Sequence, residues 1–273
     1  MAGHLLAAGH PVHVYNRTKS RAADLLNAGA VWHDSPGAAA AVSRVVLTIV
    51  GYPADVEAVY LGKGGIIENA QSGSVLIDMT TSSPALAETI ADAAAAAGMS
   101  ALDAPVSGGD IGAREARLSI MVGGDRETFD RALPVLACMG KNIVYQGKAG
   151  SGQHTKMCNQ IAIASGMVGV CESLAYAKKS GLDPATVLKS IESGAAGSWS
   201  LSNLAPRILN NDYAPGFFVK HFIKDMRIAI ESAEAMQLEL PGLELAKQLY
   251  DQLASDGCED DGTQALFKLY QTC

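Results

Sequence analysis

No two cysteines of this 273-residue chain stand at Cys-x-x-Cys spacing; Cys138, Cys158, Cys171, Cys258 and Cys273 are odd in number and widely scattered. That pattern offers neither a zinc site nor a disulfide framework, so buried thiols in a reducing cytosol are expected, with no metal. Runs of lysine or arginine are also missing, and the net charge is −7, which argues against nucleic acid or an acidic membrane surface as partner. Charged residues make up only 18% and hydrophobic ones 48%, too little charge for disorder and enough apolar material for a full core. No stretch approaches membrane-spanning length free of charge. The opening Leu5-Leu6-Ala7-Ala8 has no basic leader and is too short for a signal peptide. A cytoplasmic protein is expected. An anionic substrate would then depend on a few individual lysines.

Short β-branched runs alternate with alanine-rich stretches through the first half. The strands expected are Val12–Tyr15, Val45–Val50, Val75–Asp78, Ala101–Asp103, Ser119–Val122 and Ile143–Tyr145. Helices are expected over Ser20–Ala28, Ala54–Tyr60, Ala85–Ala97 and Arg126–Cys138, with starts marked by Ser83-Pro84 and Asp125. Such alternation predicts βαβ units on a largely parallel, doubly wound α/β sheet. After Gly150 strand-like runs vanish. Helical patterns occupy Gln153–Ser180, Pro184–Ser193, Ser200–Leu209, Lys220–Met236 and Pro241–Ala254, broken at Gly181-Leu-Asp-Pro184 and Gly194-Ala-Ala-Gly197. The expectation is therefore a sheet domain over 1–149 and an all-helical domain over 150–273.

Met1–Ala8 reads as the end of a helix capped by Gly9. In a dinucleotide-binding fold, a strand and a Gly-x-Gly-x-x-Gly turn would precede that helix, and this sequence contains neither. The sheet domain is thus expected to lack its first strand.

Two glycine-bearing segments carry most of the chemistry. In Asp103-Ala-Pro-Val-Ser-Gly-Gly109, small residues after a strand end let several N–H groups converge on an anion, although Gly-Gly also suits an ordinary turn. In Gly150-Ser-Gly-Gln-His-Thr-Lys156-Met-Cys-Asn159-Gln160, the glycines introduce a helix that carries Lys156, Asn159 and Gln160 on one face. A lysine on so apolar a helix, partly desolvated near a bound carbonyl, suits proton transfer. Asn16-Arg17-Thr18 follows a strand where such folds meet the adenosine ribose; Arg17 can grip a 2′-phosphate, or the three can form a polar turn. Thr80-Thr81-Ser82 ends another strand, within reach of a nicotinamide or as an N-cap cluster. Lys220 and Lys224 share a helix face behind Phe217 and Phe218, which fits a solvated face equally well. His154 and His221 have no partner in a recognisable pattern and read as structural or surface residues.

Together these segments resemble the β-hydroxyacid dehydrogenase family, over essentially the whole chain from Ala2 to Gln264. The combination of Asp-x-Pro-Val-Ser-Gly-Gly with Gly-x-Gly-x-x-x-Lys-x-x-Asn is specific. The resemblance implies that Ser107, Gly108 and Gly109 hold a substrate carboxylate and that Lys156 is the acid/base, assisted by Asn159 and Gln160. It further implies Phe217 and Asp225 at the substrate, Lys224 at the cofactor and Thr81 on the nicotinamide side. The activity implied is an NADP-preferring oxidoreductase (NAD possible) acting on a small 3-hydroxy or 2-hydroxy acid and its semialdehyde or keto acid, in a homo-oligomer. The rival expectation, a cofactor-impaired or scaffold protein, follows from the missing glycine turn.

Three departures qualify the resemblance. An asparagine commonly stands four residues after the lysine, where this chain has Gln160, an arrangement like the tartronate-semialdehyde reductase branch. Ala116-Arg117 replaces the usual Gly-Thr. Decarboxylating phosphogluconate enzymes carry glutamate where Ile163 stands, and imine reductases usually replace the lysine, so redox chemistry without decarboxylation is expected.

Overall fold

The computed structural model describes residues 1–271; Cys273 lies outside them. Cα packing divides the chain into two units, Met1–Lys156 and Met157–Cys273. The division falls inside one helix, Ser151–Lys179, so Lys156 packs with the sheet-bearing unit although the sequence places it in a helical stretch.

In the first unit, β1 (His13–Val14) and β2 (Val31–Trp32) form a parallel pair of their own. The main sheet contains β3 (Val45–Thr48), β4 (Val75–Asp78), β5 (Ser100–Asp103), β6 (Val106–Ser107), β7 (Leu118–Gly124) and β8 (Gly140–Gly147), in the order β3-β4-β5-β7-β6 with β8 also on β7. Pairings β3–β4, β4–β5 and β7–β8 are parallel, whereas β7 runs antiparallel to β5 and β6. The sheet is accordingly mixed; Val75–Asp78 occurs with the bounds expected, and the other expected strands occur with shifted ends. β2 and β6, each two residues long, are not among the expected strands.

β4 shows why the sheet is wound on both faces. All four of its residues are buried: Val75 and Ile77 pack with Phe129 and Leu136 of the Arg126–Ala137 helix. Leu76, pointing the other way, packs with Val56, Tyr60 and Ile90 of the Pro53–Leu61 and Pro84–Ala96 helices. A strand of period two whose successive residues Val75, Leu76 and Ile77 are all apolar can only be satisfied by a layer on each side. The helix starts follow the capping chemistry: Ser83 Oγ accepts from Leu86 N at 3.4 Å and Asp125 Oδ2 from Thr128 N at 2.8 Å. The opening helix, Ala2–Ala7, ends at Gly9, whose φ of 86° is left-handed, with Gly9 N and His10 N donating back to Leu6 O and Leu5 O.

The second unit is helical: Pro184–Ile191, Trp199–Asn203, Ala205–Leu209, Val219–Ala235 and Pro241–Leu253 surround the distal part of Ser151–Lys179, followed by a tight helix over Thr263–Tyr270. The stretch expected as one helix, Ser200–Leu209, breaks at Leu204, next to Pro206, which has no N–H to continue the ladder. Ser151–Lys179 is long and apolar enough to cross a membrane by length and composition, although it carries Lys156 and Glu172. Its apolar face is used otherwise. Met157, Ala164, Met167, Cys171 and Leu174 join Phe222, Met226 and Tyr250 in the core of this unit.

Candidate active site

Polar residues gather at the carboxyl ends of the parallel strands, where a doubly wound sheet presents its ligand face. Thr48, Asp78 and Asp103 occupy paired positions at the ends of β3, β4 and β5. Asp78 Oδ1 accepts from Thr48 Oγ1 and from Thr80 N, each at 3.0 Å, and Thr48 Oγ1 lies 2.8 Å from the buried Tyr60 hydroxyl. Burial is the main reason that the Asp78 carboxyl is pushed up to about 6, against the pull of its hydrogen bonds from Thr80 and Thr48. Asp103 is raised as well, again through burial, although backbone N–H groups of Gln153 and Gly150 favour its ionised form.

Those N–H groups begin the long helix. Asp103 Oδ1 accepts from Gly150 N at 2.9 Å and Oδ2 from Gln153 N at 2.8 Å. Gln153, fully buried, donates from Nε2 to Thr80 O at 2.7 Å and accepts at Oε1 from Ser82 N at 2.9 Å. Gly152 lets the helix sit this close: a Cβ there would meet Met121 O at 2.5 Å and Asp103 O at 2.6 Å. The glycine-flanked helix start is thereby clamped onto β4 and β5.

One turn later the clamp delivers Lys156. Its side chain is buried, at 7% exposure, and Nζ donates to Val106 O at 2.8 Å. Val106 directly precedes the half-buried Ser107, and Gly108 and Gly109, both exposed, take left-handed φ values of 128° and 62°. The lysine and the small-residue loop picked out from sequence are thus neighbours within one unit. An ammonium beside a loop of small residues can exchange a proton with an oxygen held next to it.

In the second unit, a different set comes together. Asn159 Nδ2 donates to Gln160 Oε1 at 2.7 Å, and Gln160 Nε2 donates to Asp225 Oδ2 at 2.6 Å. Asp225 Oδ1 lies 2.9 Å from Lys224 Nζ, a buried ion pair. Lys220 and Lys224 share the helix spacing but not the environment: Lys220 pairs with Asp260 and is half-exposed, while Lys224 is 6% exposed. Phe217 is half-buried against the ring of Phe222, at 5.4 Å between centroids. His154 is exposed; His221, half-buried, has its imidazole lowered by burial and by Lys224 and Lys220.

Asn16, Arg17 and Thr18 follow β1. Asn16 Nδ2 donates to Thr18 O at 2.8 Å, and the exposed Arg17 donates from Nη2 to Asp55 Oδ1 at 2.7 Å. Thr81 is half-buried beyond β4.

Comparison with known proteins decides the family. Residues 1–147 match the NAD binding domain of 6-phosphogluconate dehydrogenase, and residues 150–270 match the NAD-binding domain of NADP-dependent 3-hydroxyisobutyrate dehydrogenase. An uncharacterised oxidoreductase of Bacillus subtilis is 62% identical over 99% of this chain and 94% of its own length. The probable 3-hydroxyisobutyrate dehydrogenase-like 1 of Arabidopsis thaliana, mitochondrial, is 50% identical over 97% of this chain and 80% of its own. The chain belongs to the β-hydroxyacid dehydrogenase family. Its fold agrees with that of Mycobacterium tuberculosis 3-hydroxyisobutyrate dehydrogenase, solved with L-serine, at a TM-score of 0.91 and 30% identity over 99% of this chain and 94% of that one.

This dehydrogenase is NAD(P)-dependent. Its residues fit such a cofactor: the exposed Arg17 stands past β1 and Thr80 to Ser82 past β4, all at carboxyl ends of parallel strands. Sequence reasoning missed Asp78, Gln153 and the capping role of Asp103. An acid closing each of two apolar strands, Val75–Asp78 and Ala101–Asp103, was the available signal for the first and last. Nothing local marked Gln153.

Proposed function

We propose that this chain is an NADP-preferring dehydrogenase that interconverts a small 3-hydroxy or 2-hydroxy acid and the corresponding semialdehyde or keto acid. The supporting observation is the buried Lys156 ammonium held 2.8 Å from Val106 O, next to Ser107 and the two glycines. In this reading Ser107 and the Gly108 and Gly109 amides grip the carboxylate and so orient the neighbouring carbon. Nicotinamide, when bound, supplies the hydride. Lys156 protonates the developing alkoxide in the reductive direction and withdraws that proton in the oxidative one, its aim fixed by the Val106 bond. Asn159 and Gln160 provide amide assistance, Phe217 and Asp225 shape the substrate region, and Asn16, Arg17, Thr18, Thr81 and Lys224 serve the cofactor.

The same reading assigns 1–149 to dinucleotide binding and 150–273 to substrate binding and self-association, in a cytoplasmic homo-oligomer. Contrary to the expectation of buried thiols, only Cys171 is buried among the described cysteines, with Cys138 and Cys258 half-buried and Cys158 exposed. Lys156→Ala is expected to lower kcat by two orders of magnitude or more, with little change in NADPH affinity measured by nucleotide fluorescence. Unchanged turnover in that variant would remove the assignment.

A further inference from the structure

We infer that Asp225 and Gln160 are positioning residues that dictate which way the Asn159 amide faces, and that Asn159 is the amide presented to the substrate's reacting oxygen. This rests on the reading of Lys156 as the acid/base. The sign of one charge decides the geometry. The oxygen and nitrogen ends of a carboxamide are nearly equal in size, so packing alone does not choose between the two flips. A carboxylate has no proton to give, so Gln160 must turn Nε2 toward Asp225 Oδ2, 2.6 Å away. Its Oε1 then faces the other way and can only accept. Asn159 in turn must offer Nδ2, which it does at 2.7 Å. Two flips are decided by one negative group.

The two amides differ in what remains to them. Gln160 is 0% exposed with both ends engaged inside the second unit. Asn159 is half-buried, and its second N–H and its Oδ1 meet no partner among the described residues. Standing three residues after Lys156 on one continuous helix, Asn159 occupies a neighbouring position on the helix surface. Its second N–H is the donor of this chain that remains for a substrate oxygen. Gln160, at the position where the family commonly has asparagine, supports rather than touches the substrate.

The test uses the purified full chain, with kcat and KM measured across pH. The charged and titratable groups around Gln160 are Asp225 and Lys224, His221 one turn before Asp225, and Lys156 one turn earlier on its own helix. Gln160→Leu is expected to lower kcat by about thirtyfold while KM stays within about threefold, because orientation rather than binding is lost. Gln160→Glu is the sharper variant. When protonated, the introduced carboxyl donates O–H to Asp225 and accepts from Asn159, reproducing the chain; once ionised it cannot donate. Its kcat is therefore expected near the parent value at low pH and to fall toward the Gln160→Leu value as pH rises. The Asn159 side-chain amide resonances should follow the same titration.

A Gln160→Glu profile parallel to the parent's, or Asn159 resonances indifferent to the substitution, overturns the inference. If Gln160→Leu does not fold, the Gln160→Glu titration decides alone. Lys156→Ala, measured alongside, separates the two failures: full activity there removes the acid/base reading, while the Asn159 resonances still judge the relay.

Discussion

The Asp103 carboxylate caps the helix that begins beside Gln153, accepting from Gln153 N at 2.8 Å with one oxygen and from Gly150 N at 2.9 Å with the other. Strand end and helix start are thereby joined through two buried backbone donors. Asp103→Asn would turn an NH2 group against one of them. A stranded buried N–H costs about 1–3 kcal/mol. A matching fall in the urea midpoint is expected, with a drop in kcat because Lys156 lies one turn downstream; unaltered stability would contradict the cap.

Asp78 makes stability depend on pH. Its carboxyl rises from 3.8 to about 6 on folding, so the folded chain binds the proton more tightly than the unfolded one. That contribution is complete below about 3.8 and is lost as pH climbs through about 6, amounting to roughly 3 kcal/mol. Denaturation midpoints between pH 4 and 7 should decline, and Asp78→Asn, which keeps an acceptor for Thr48 and Thr80, should flatten that decline. A slope identical in the variant would exclude Asp78 as its source.

Ala116 sits at φ 53°, a left-handed conformation that suits glycine, in the place where the family usually has glycine. Ala116→Gly is therefore expected to stabilise by about 1 kcal/mol, the strain relieved exceeding the added freedom of the unfolded chain. Ala116→Val should do the reverse. Thermal melts of the three proteins give the ranking directly.

Arg17 is 79% exposed on its side chain and leans on Asp55. A 2′-phosphate would compete for that guanidinium and win by charge and by its extra acceptors. Arg17→Ala should weaken NADPH binding by about tenfold, about 1.4 kcal/mol, and NADH binding far less. Equal losses for both nucleotides would argue against contact with the phosphate.

Much of the site could be read from local sequence. Lys156 stood out because a lone cation on an apolar helix needs a reason, and the Ser107 loop because Gly-Gly follows a strand end. Strand β4 was plain, since the successive apolar residues Val75, Leu76 and Ile77 mark burial on two faces. By contrast, Gln153 looked like any polar residue near a helix start; its partners Thr80 and Ser82 lie more than seventy residues away. Lys220 and Lys224 looked alike for the same reason, since helix spacing sets a shared side of the helix and says nothing about which neighbour covers each residue.

By itself the amino-acid order determined the element types, the glycine-marked loop and helix start, and the family, because these depend on period, conformational freedom and short motifs. Tertiary structure alone decided that Lys156 meets Val106, that Asp103 caps the helix, and that Asp225 orients Gln160. Those outcomes rest on hydrogen bonds between residues distant along the chain, and such bonds come into being only when folding carries the partners within about 3 Å of each other.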